Sequence, residues 1–258
     1  MSVDRREFLK LAGLSAALGI VGKTASEALA QGLPDPAAYD RPLTAGRWAM
    51  VIDLRRWTED DARACVAACH REHNVPAFDN PKDEIKWMWT EHFAHAFPDF
   101  EGQILASEVE HVPVPLLCNH CDNPPCTRVC PTQATWKRES DGLVMMDWHR
   151  CIGCRYCIAA CPYGSRSFNW RDPRPHIQGE LNRTYPTRER GVVEKCTFCE
   201  ERLAVGREPA CVEACASGAM VFGDLEDPRS EVRRLLEENF AIRRKPGLGT
   251  RPEVYYLV

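Results

Sequence analysis

The chain has 258 residues, 44% of them hydrophobic and 27% charged, with a formal net charge of −4. That profile fits one or two ordinary globular domains and lacks the basic balance of a chain built to hold nucleic acid. Fourteen cysteines are the anomaly, and at this length they mean disulfides or metal, with spacing as the arbiter.

Residues 1–30 read as a targeting segment. Adjacent Arg5 and Arg6 precede Phe8-Leu9-Lys10, the run from Leu11 to Gly22 is apolar and small, and Ala28-Leu29-Ala30 forms an A-x-A cleavage pattern before Gln31. The apolar run is about half the roughly 20 residues a spanning helix needs, and the paired arginines match the twin-arginine export route. No later segment is long and apolar enough to cross a bilayer, so membrane contact is expected through partners alone. Export into an oxidising compartment favours disulfides, unless a cofactor is inserted into the folded protein beforehand.

Residues 31–46 form a lead-in rich in Pro, Gly and Ala. Trp48 to Leu54 predicts a strand, and Thr58 to His73 a helix with Thr58 as its N-cap and Asp60 and Asp61 in its first turn. Residues 74–111 carry aromatics and no cysteine and read as an insertion; Val112 to Leu117 is extended. Ala134 to Trp136 and Leu143 to Met146 flank an Asp141-Gly142 turn and predict a β-hairpin. A lesser strand is expected at Ser167 to Trp170, helices at Phe198 to Val205 and Glu231 to Asn239, and a final strand or extended clamp at Val254 to Val258.

The cysteines fall into four groups. The first is broken, with only Cys65-x3-Cys69. The second is Cys118-x2-Cys121-x4-Cys126-x3-Cys130-Pro131, the third Cys151-x2-Cys154-x2-Cys157-x3-Cys161-Pro162, and the fourth Cys196-x2-Cys199-x11-Cys211-x3-Cys215. The third matches the bacterial ferredoxin run, in which three cysteines wrap one cubane and the fourth serves the other cluster. Disulfides are the competing use, but cysteines two residues apart in a tight loop seldom reach disulfide geometry. Zinc is the other, but it has no need of the x2, x2, x3 series ending in proline. Crossing the second and third groups assigns Cys118, Cys121, Cys126 and Cys161 to cluster A, and Cys151, Cys154, Cys157 and Cys130 to cluster B. The same crossing of the outer groups assigns Cys196, Cys199, Cys211 and Cys69 to cluster C. Three [4Fe–4S] clusters are expected. Cys65 and Cys215 remain as relics of a fourth site; it is expected to be empty, with Trp57 as filler and a disulfide as one fate for the pair. Glu59, Asp60 and Asp61 are poor substitutes for soft sulfur ligands.

Asn119 and His120, inside the first loop of the second group, are candidates for hydrogen bonds to sulfur, with loop packing as the alternative. Arg150, Arg155 and Lys195 adjoin cysteines and are either electrostatic neighbours of a cluster or solvated charge. His92 and His95 are read as packing or surface residues before a metal pair. Trp87, Trp89, Phe93 and Phe97 are read as core before a docking surface. No dinucleotide fingerprint, nucleophile elbow or P-loop occurs, and a cubane on four thiolates has no open position for bond chemistry. A relay is expected, with no catalytic residue.

Four groups in this order, the Asp53-Leu54-Arg55-Arg56 lead, the run Cys118-Asn119-His120-Cys121-Asp122-Asn123-Pro124-Pro125-Cys126 and the close Gly249-Thr250-Arg251-Pro252-Glu253-Val254-Tyr255-Tyr256-Leu257 resemble the iron–sulfur subunits of membrane-bound complex iron–sulfur oxidoreductases. The twin-arginine leader, the degraded first group and Lys82 to Trp89 resemble the DsrO-type subunits of DsrMKJOP complexes. The resemblance implies an α+β fold of two ferredoxin-like [4Fe–4S] modules with an insertion and a C-terminal extension. After the signal at 1–30, the outer module would take 31–112 and 191–258, with a two-cluster module inserted at 113–190. It also implies a periplasmic position on the outer membrane face, against an NrfD-type integral quinone subunit (DsrP-like), a multihaem cytochrome c (DsrJ-like) and the other Dsr subunits. Electron transfer between quinone and dissimilatory sulfur metabolism is the implied role. The β-subunit of a molybdopterin oxidoreductase and a structural zinc scaffold are the alternatives.

Overall fold

Trp48 to Asp53 is apolar at alternate and intervening positions alike, so both faces of the strand it forms must be covered. It forms β1 (Trp48–Asp53), with every residue buried. Trp48, Met50 and Ile52 face the main core, while Ala49 and Val51 face a second cluster with Leu225, Val232 and Leu257. Beyond it Thr58 caps α1 (Glu59–Glu72) through a reciprocal capping box with Asp61, which satisfies two backbone donors at the helix start. This computed structural model describes residues 41–100 and 113–258. The expected leader, most of the lead-in and the end of the insertion lie outside those residues.

The insertion folds back as β2 (Met88–Glu91) and the short α2 (Phe93–Ala96), and β3 (Val114–Leu117) pairs antiparallel with β2. Then come α3 (Pro125–Arg128), the hairpin β4 (Thr135–Lys137) and β5 (Val144–Met146), and α4 (Tyr156–Ala160). Next, β6 (Ser167–Phe168) pairs antiparallel with β7 (Val193–Glu194). The chain ends with α5 (Glu200–Leu203), α6 (Ala210–Glu213), β8 (Met220–Asp224), α7 (Glu231–Glu238), β9 (Ala241–Ile242) and β10 (Val254–Leu257). The helix expected at Phe198 to Val205 shrinks to one turn because Phe198 and Cys199 both take left-handed backbone, at φ 57° and 53°.

The four-stranded sheet has the order β8-β1-β10-β9. β1 pairs antiparallel with β8 and parallel with β10. The C-terminal strand is therefore interior to the sheet, and it joins the two ends of the described chain. Tyr256 reinforces the join: its hydroxyl donates to the Pro115 carbonyl at 2.9 Å. Trp87, Trp89, Phe93 and Phe97 are all buried in the main core, so this aromatic set is packing. His92 caps α2 without a side-chain bond, and its ring lies edge-on to that of exposed His95 at 6.0 Å, the surface role expected.

A buried ion pair locks the insertion to the cysteine-bearing region. Arg188 meets Glu194 at 2.7 Å with both side chains out of solvent. Glu194 also accepts from Trp87 Nε1 at 2.8 Å and from Asn169 Nδ2 at 2.5 Å. Arg188 donates onward to the His73 and Asn74 carbonyls. Such a pair is tolerable in a dry interior only because nearly every lone pair and proton is used.

Ile52→Ala opens a cavity in the central strand, with an expected loss of about 2–5 kcal/mol in denaturant unfolding. Hydrogen bonds hold Asp61, Asp122 and Asp224 below the usual carboxylate range, against the opposing effect of burial at Asp61 and Asp224 and with the Lys137 bond leading at Asp122. Their stabilisation is complete above about pH 4 and is lost as pH falls through their folded values; unfolding midpoints taken from pH 6 down to pH 3 should decline accordingly.

Candidate metal centres

Three Cys-x2-Cys loops share one backbone device. The residue before the second cysteine is left-handed in each: His120 at φ 40°, Gly153 at 68° and Phe198 at 57°. This turn wraps a loop around a point and faces backbone N–H groups inward. The Phe198 N–H lies 3.4 Å from Cys196 Sγ, and the Ala210 N–H lies 3.4 Å from Cys199 Sγ. At Gly153 glycine is also a steric need, since a Cβ would run into the Gly191 carbonyl oxygen and meet Phe168 at 3.0 Å.

Cys118, Cys121, Cys126 and Cys161 line one cavity, with Asn119, Tyr163 and Arg166 in its wall. This is site A. Cys118 leaves β3, Cys126 lies in α3, and Cys161 ends α4. Cys130, Cys151, Cys154 and Cys157 line a second cavity, site B, walled by Thr135, Met146 and Val193. Cys69, Cys196, Cys199 and Cys211 form site C, all buried and within electrostatic reach of one another. The fourth cysteine of each set comes from the remote stretch that the crossing rule names. Cys196 interacts with Cys118, and Cys157 with Cys126, so the sites run in the order C, A, B.

Burial pushes the thiols of Cys121, Cys161, Cys69, Cys199 and Cys196 up, and that of Cys211 to about 12. Free thiols crowded in a dry interior resist ionisation; a bound metal reverses that preference, because coordinating thiols are deprotonated outright. Cys130, nearer solvent, is held below the usual thiol range: burial opposes, but backbone donors from Thr132, Ala134 and Thr135 outweigh it. The donor set, four sulfurs per cavity, suits iron–sulfur clusters. The surroundings fit as well. Among the described residues, both side-chain polar atoms of Asn119 and the Thr197 hydroxyl are buried without a hydrogen-bond partner. Both residues sit inside a cysteine loop, where a cluster sulfur would accept from the Asn119 amide N–H and the Thr197 hydroxyl.

Asn119 thus keeps the expected option open, but His120 does not. Its Nδ1 accepts from the Val144 N–H at 3.1 Å and its Nε2 meets the Cys196 carbonyl at 3.1 Å. The ring stacks on Phe198 at 3.8 Å. His120 therefore clamps the loop of site A to that of site C and has no nitrogen left for sulfur. Burial and nearby Lys195 hold it well below its ordinary pKa, in the neutral form.

The three flanking cations divide. Arg150 and Arg155 are exposed; Arg150 pairs with Asp147 at 3.3 Å, and Arg155 lies 4.5 Å over Trp170. Lys195 is wholly buried, its ammonium donating to the Cys196 carbonyl at 2.7 Å. Arg166 was not singled out by the sequence. It is 4% exposed and donates to Cys126 Sγ at 3.1 Å and Thr135 Oγ1 at 2.8 Å. Burial opposes its charge, but the sulfurs of Cys126, Cys157, Cys118 and Cys161 more than compensate. No spacing rule marks it, because its role depends on two loops closing over it.

Cys65 and Cys215 lie side by side as free, buried thiols. A hydrogen bond from the Cys65 thiol brings Cys215 down to about 6 and pushes Cys65 up. Cys215 Sγ is 3.8 Å from Asp61 Oδ1 and 3.6 Å from Ser217 Oγ. Asp61 is committed to the helix cap, while Glu59 and Asp60 face outward towards Arg63. Trp57 packs in the same core cluster as both thiols, its Nε1 donating to the Pro113 carbonyl at 2.9 Å. His73, Cys199 and Glu201 bring donor atoms within 4.8 Å of one another, but Cys199 belongs to site C.

Comparison with known proteins agrees with this geometry. A family model described as a 4Fe-4S dicluster domain matches residues 109–176 and 180–225. The chain is 42% identical to the Hdr-like menaquinol oxidoreductase iron-sulfur subunit 1 of Archaeoglobus fulgidus, over 98% of this chain and 97% of the relative. It is 38% identical to the menaquinone reductase iron-sulfur cluster-binding subunit of Nitratidesulfovibrio vulgaris, over 82% of this chain and 88% of that one. Protein NrfC of Escherichia coli is 31% identical over 99% of this chain and 95% of its own length.

Cys69→Ser should remove about a third of the protein's iron, whereas the double variant Cys65→Ser/Cys215→Ser should keep it all; metal analysis of the purified proteins separates the two.

Proposed function

Because the chain belongs to the 4Fe-4S dicluster iron–sulfur subunits of membrane oxidoreductase complexes, we propose that it is a DsrO-type relay holding three [4Fe–4S] clusters at sites A, B and C. Two nested ferredoxin-like modules would carry them: an inserted one at 113–190 with A and B, and an outer one with C, built from 31–112 and 191–258. The observation that carries the reading is the gathering of twelve thiols into three sets of four, in line.

A [4Fe–4S] cluster on four thiolates takes up and releases one electron and does no bond chemistry. The chain's own residues hold, insulate and link these positions. The left-handed loops present N–H groups to sulfur, and β1, β8 and β10 bring Cys69 to the fourth cysteine group. His120 and Phe198 fill the space between sites A and C. Sites A and C are mostly buried, while Cys130, Cys151 and Cys154 of site B are half-buried. Site B is therefore the end best placed to exchange electrons with another protein.

Among the described residues no helix is long and apolar enough to cross a membrane, which supports attachment through partners. The relatives from Archaeoglobus and Nitratidesulfovibrio are named for menaquinol and menaquinone. They favour a quinone-reactive membrane partner; in the DsrO-type reading this is an NrfD-type, DsrP-like subunit, with a DsrJ-like multihaem cytochrome c and other Dsr subunits beyond it, serving sulfur metabolism. In the same reading, Arg5 and Arg6 support twin-arginine export to the periplasm.

The holoprotein should contain about twelve irons and as much acid-labile sulfide, four per cubane, with reduced-state EPR of interacting clusters. The isolated subunit should accept electrons yet turn over no quinol. Zinc in place of iron, or quinol oxidation by the subunit alone, would overturn this reading. Replacing Arg5 and Arg6 by Lys should leave the protein in the cytoplasm.

A further inference from the structure

The three cysteine sites are alike in ligands but not in the charge around them. Arg166 lies at the seam between A and B. Its guanidinium donates to Cys126 Sγ of site A at 3.1 Å, and it also donates to Thr135 Oγ1 at 2.8 Å and lies 3.8 Å from Met146 Sδ, both in the wall of site B. Lys195 lies at the other seam, between A and C, close to Cys118 and Cys196. Both cations are out of solvent, and neither is paired with a carboxylate among the described residues. Site C has an opposite bias. Glu72 and Glu201 act on Cys69, and the nearby Arg202 is already engaged by Glu72 at 3.0 Å and by Glu213.

A reduced cluster carries one more negative charge than an oxidised one. A fixed cation in a water-poor interior therefore favours the reduced form, and a carboxylate disfavours it. A hydrogen bond to a ligand sulfur acts in the same direction as the cation. Site A receives both buried cations; site B receives Arg166, with exposed Arg155 in its wall; at site C, Lys195 and Arg202 are set against Glu72, Glu201 and Glu213.

We propose that Arg166 is a positioning residue that raises the reduction potentials of sites A and B together, and that with Lys195 it makes the middle site the most easily reduced of the three. The proposal rests on the cluster reading above and adds an ordering: electrons settle in the centre of the line, and site C is the hardest to reduce. Arg166 does this as a fixed charge and sulfur donor, since a guanidinium does not titrate in the working range. Nothing in its sequence neighbourhood announces the role; it arises because the loop after α4 closes beneath the β4–β5 hairpin.

The test is a potentiometric titration of the twelve-iron holoprotein followed by EPR, with the Cys69→Ser variant identifying the site C signal by its loss. Arg166→Gln should shift the one-electron reduction equilibria of both other signals at least tenfold towards the oxidised form, which is 59 mV for such a couple. The site C signal should stay in place. Arg166→Lys, which keeps the charge and loses the fork, should recover part of the shift. Lys195→Met should lower A and C and spare B. A fully loaded Arg166→Gln protein with all three midpoints unchanged, or with C displaced as far as A and B, overturns the proposal. So does failure of both Arg166 variants to load iron, which would make the residue merely structural. Wild-type protein that contains no iron would instead sink the cluster reading itself.

Discussion

Pairing of β1 with both β8 and β10 is the constraint on which the rest of the molecule depends. Cys69 and Cys196 lie more than a hundred residues apart in the chain, and closing a loop of that size costs conformational entropy before any contact is gained. The sheet meets that cost with backbone hydrogen bonds and with cover on both faces. Once β1 is fixed between β8 and β10, α1 leaves its end in one direction only, and α6 enters β8 from the same side. Cys69 then faces Cys199 and Cys211 without any contribution from metal.

The inner region works on a shorter scale. Cys118 to Cys161 is a compact stretch in which the β4–β5 hairpin spaces two cysteine runs and α3 lies against α4. Left-handed His120 and Gly153 give its Cys118 and Cys151 loops their curvature. What joins inner and outer regions is a set of interior polar contacts: His120 clamping one loop to the next, Tyr256 reaching Pro115, and the Arg188–Glu194 pair binding the insertion to β7. Each is costly to bury alone and stable only with its partners in place.

The surroundings of Cys65 and Cys215, read from the sequence as relics of a fourth site, show how the fold is held where the first cysteine group is short. Two thiols lie there, with Asp61 and Ser217 beside Cys215. Asp61 serves two ends at once, capping α1 and facing Cys215. The helix therefore keeps its start, and Cys69 its position, although the cysteines that would complete a first group are missing.

Much of this was open to reading from residue order. Cysteine spacing named the three sets of four, because a short gap in a tight loop can satisfy a cubane and little else. An apolar run, an N-cap and an Asp-Gly turn located β1, α1 and the hairpin, because those signals are local. The helix after Cys199 was overestimated, since apolar periodicity does not register a left-handed turn. For His120 a bond to sulfur and loop packing were both open, and it spends both nitrogens on backbone. Arg166 and the burial of Lys195 could not be read at all. Covalent neighbours and spacing fix which atoms are able to bind a metal; the charge each site experiences depends on which distant side chains lose their water together, and only the folded chain decides that.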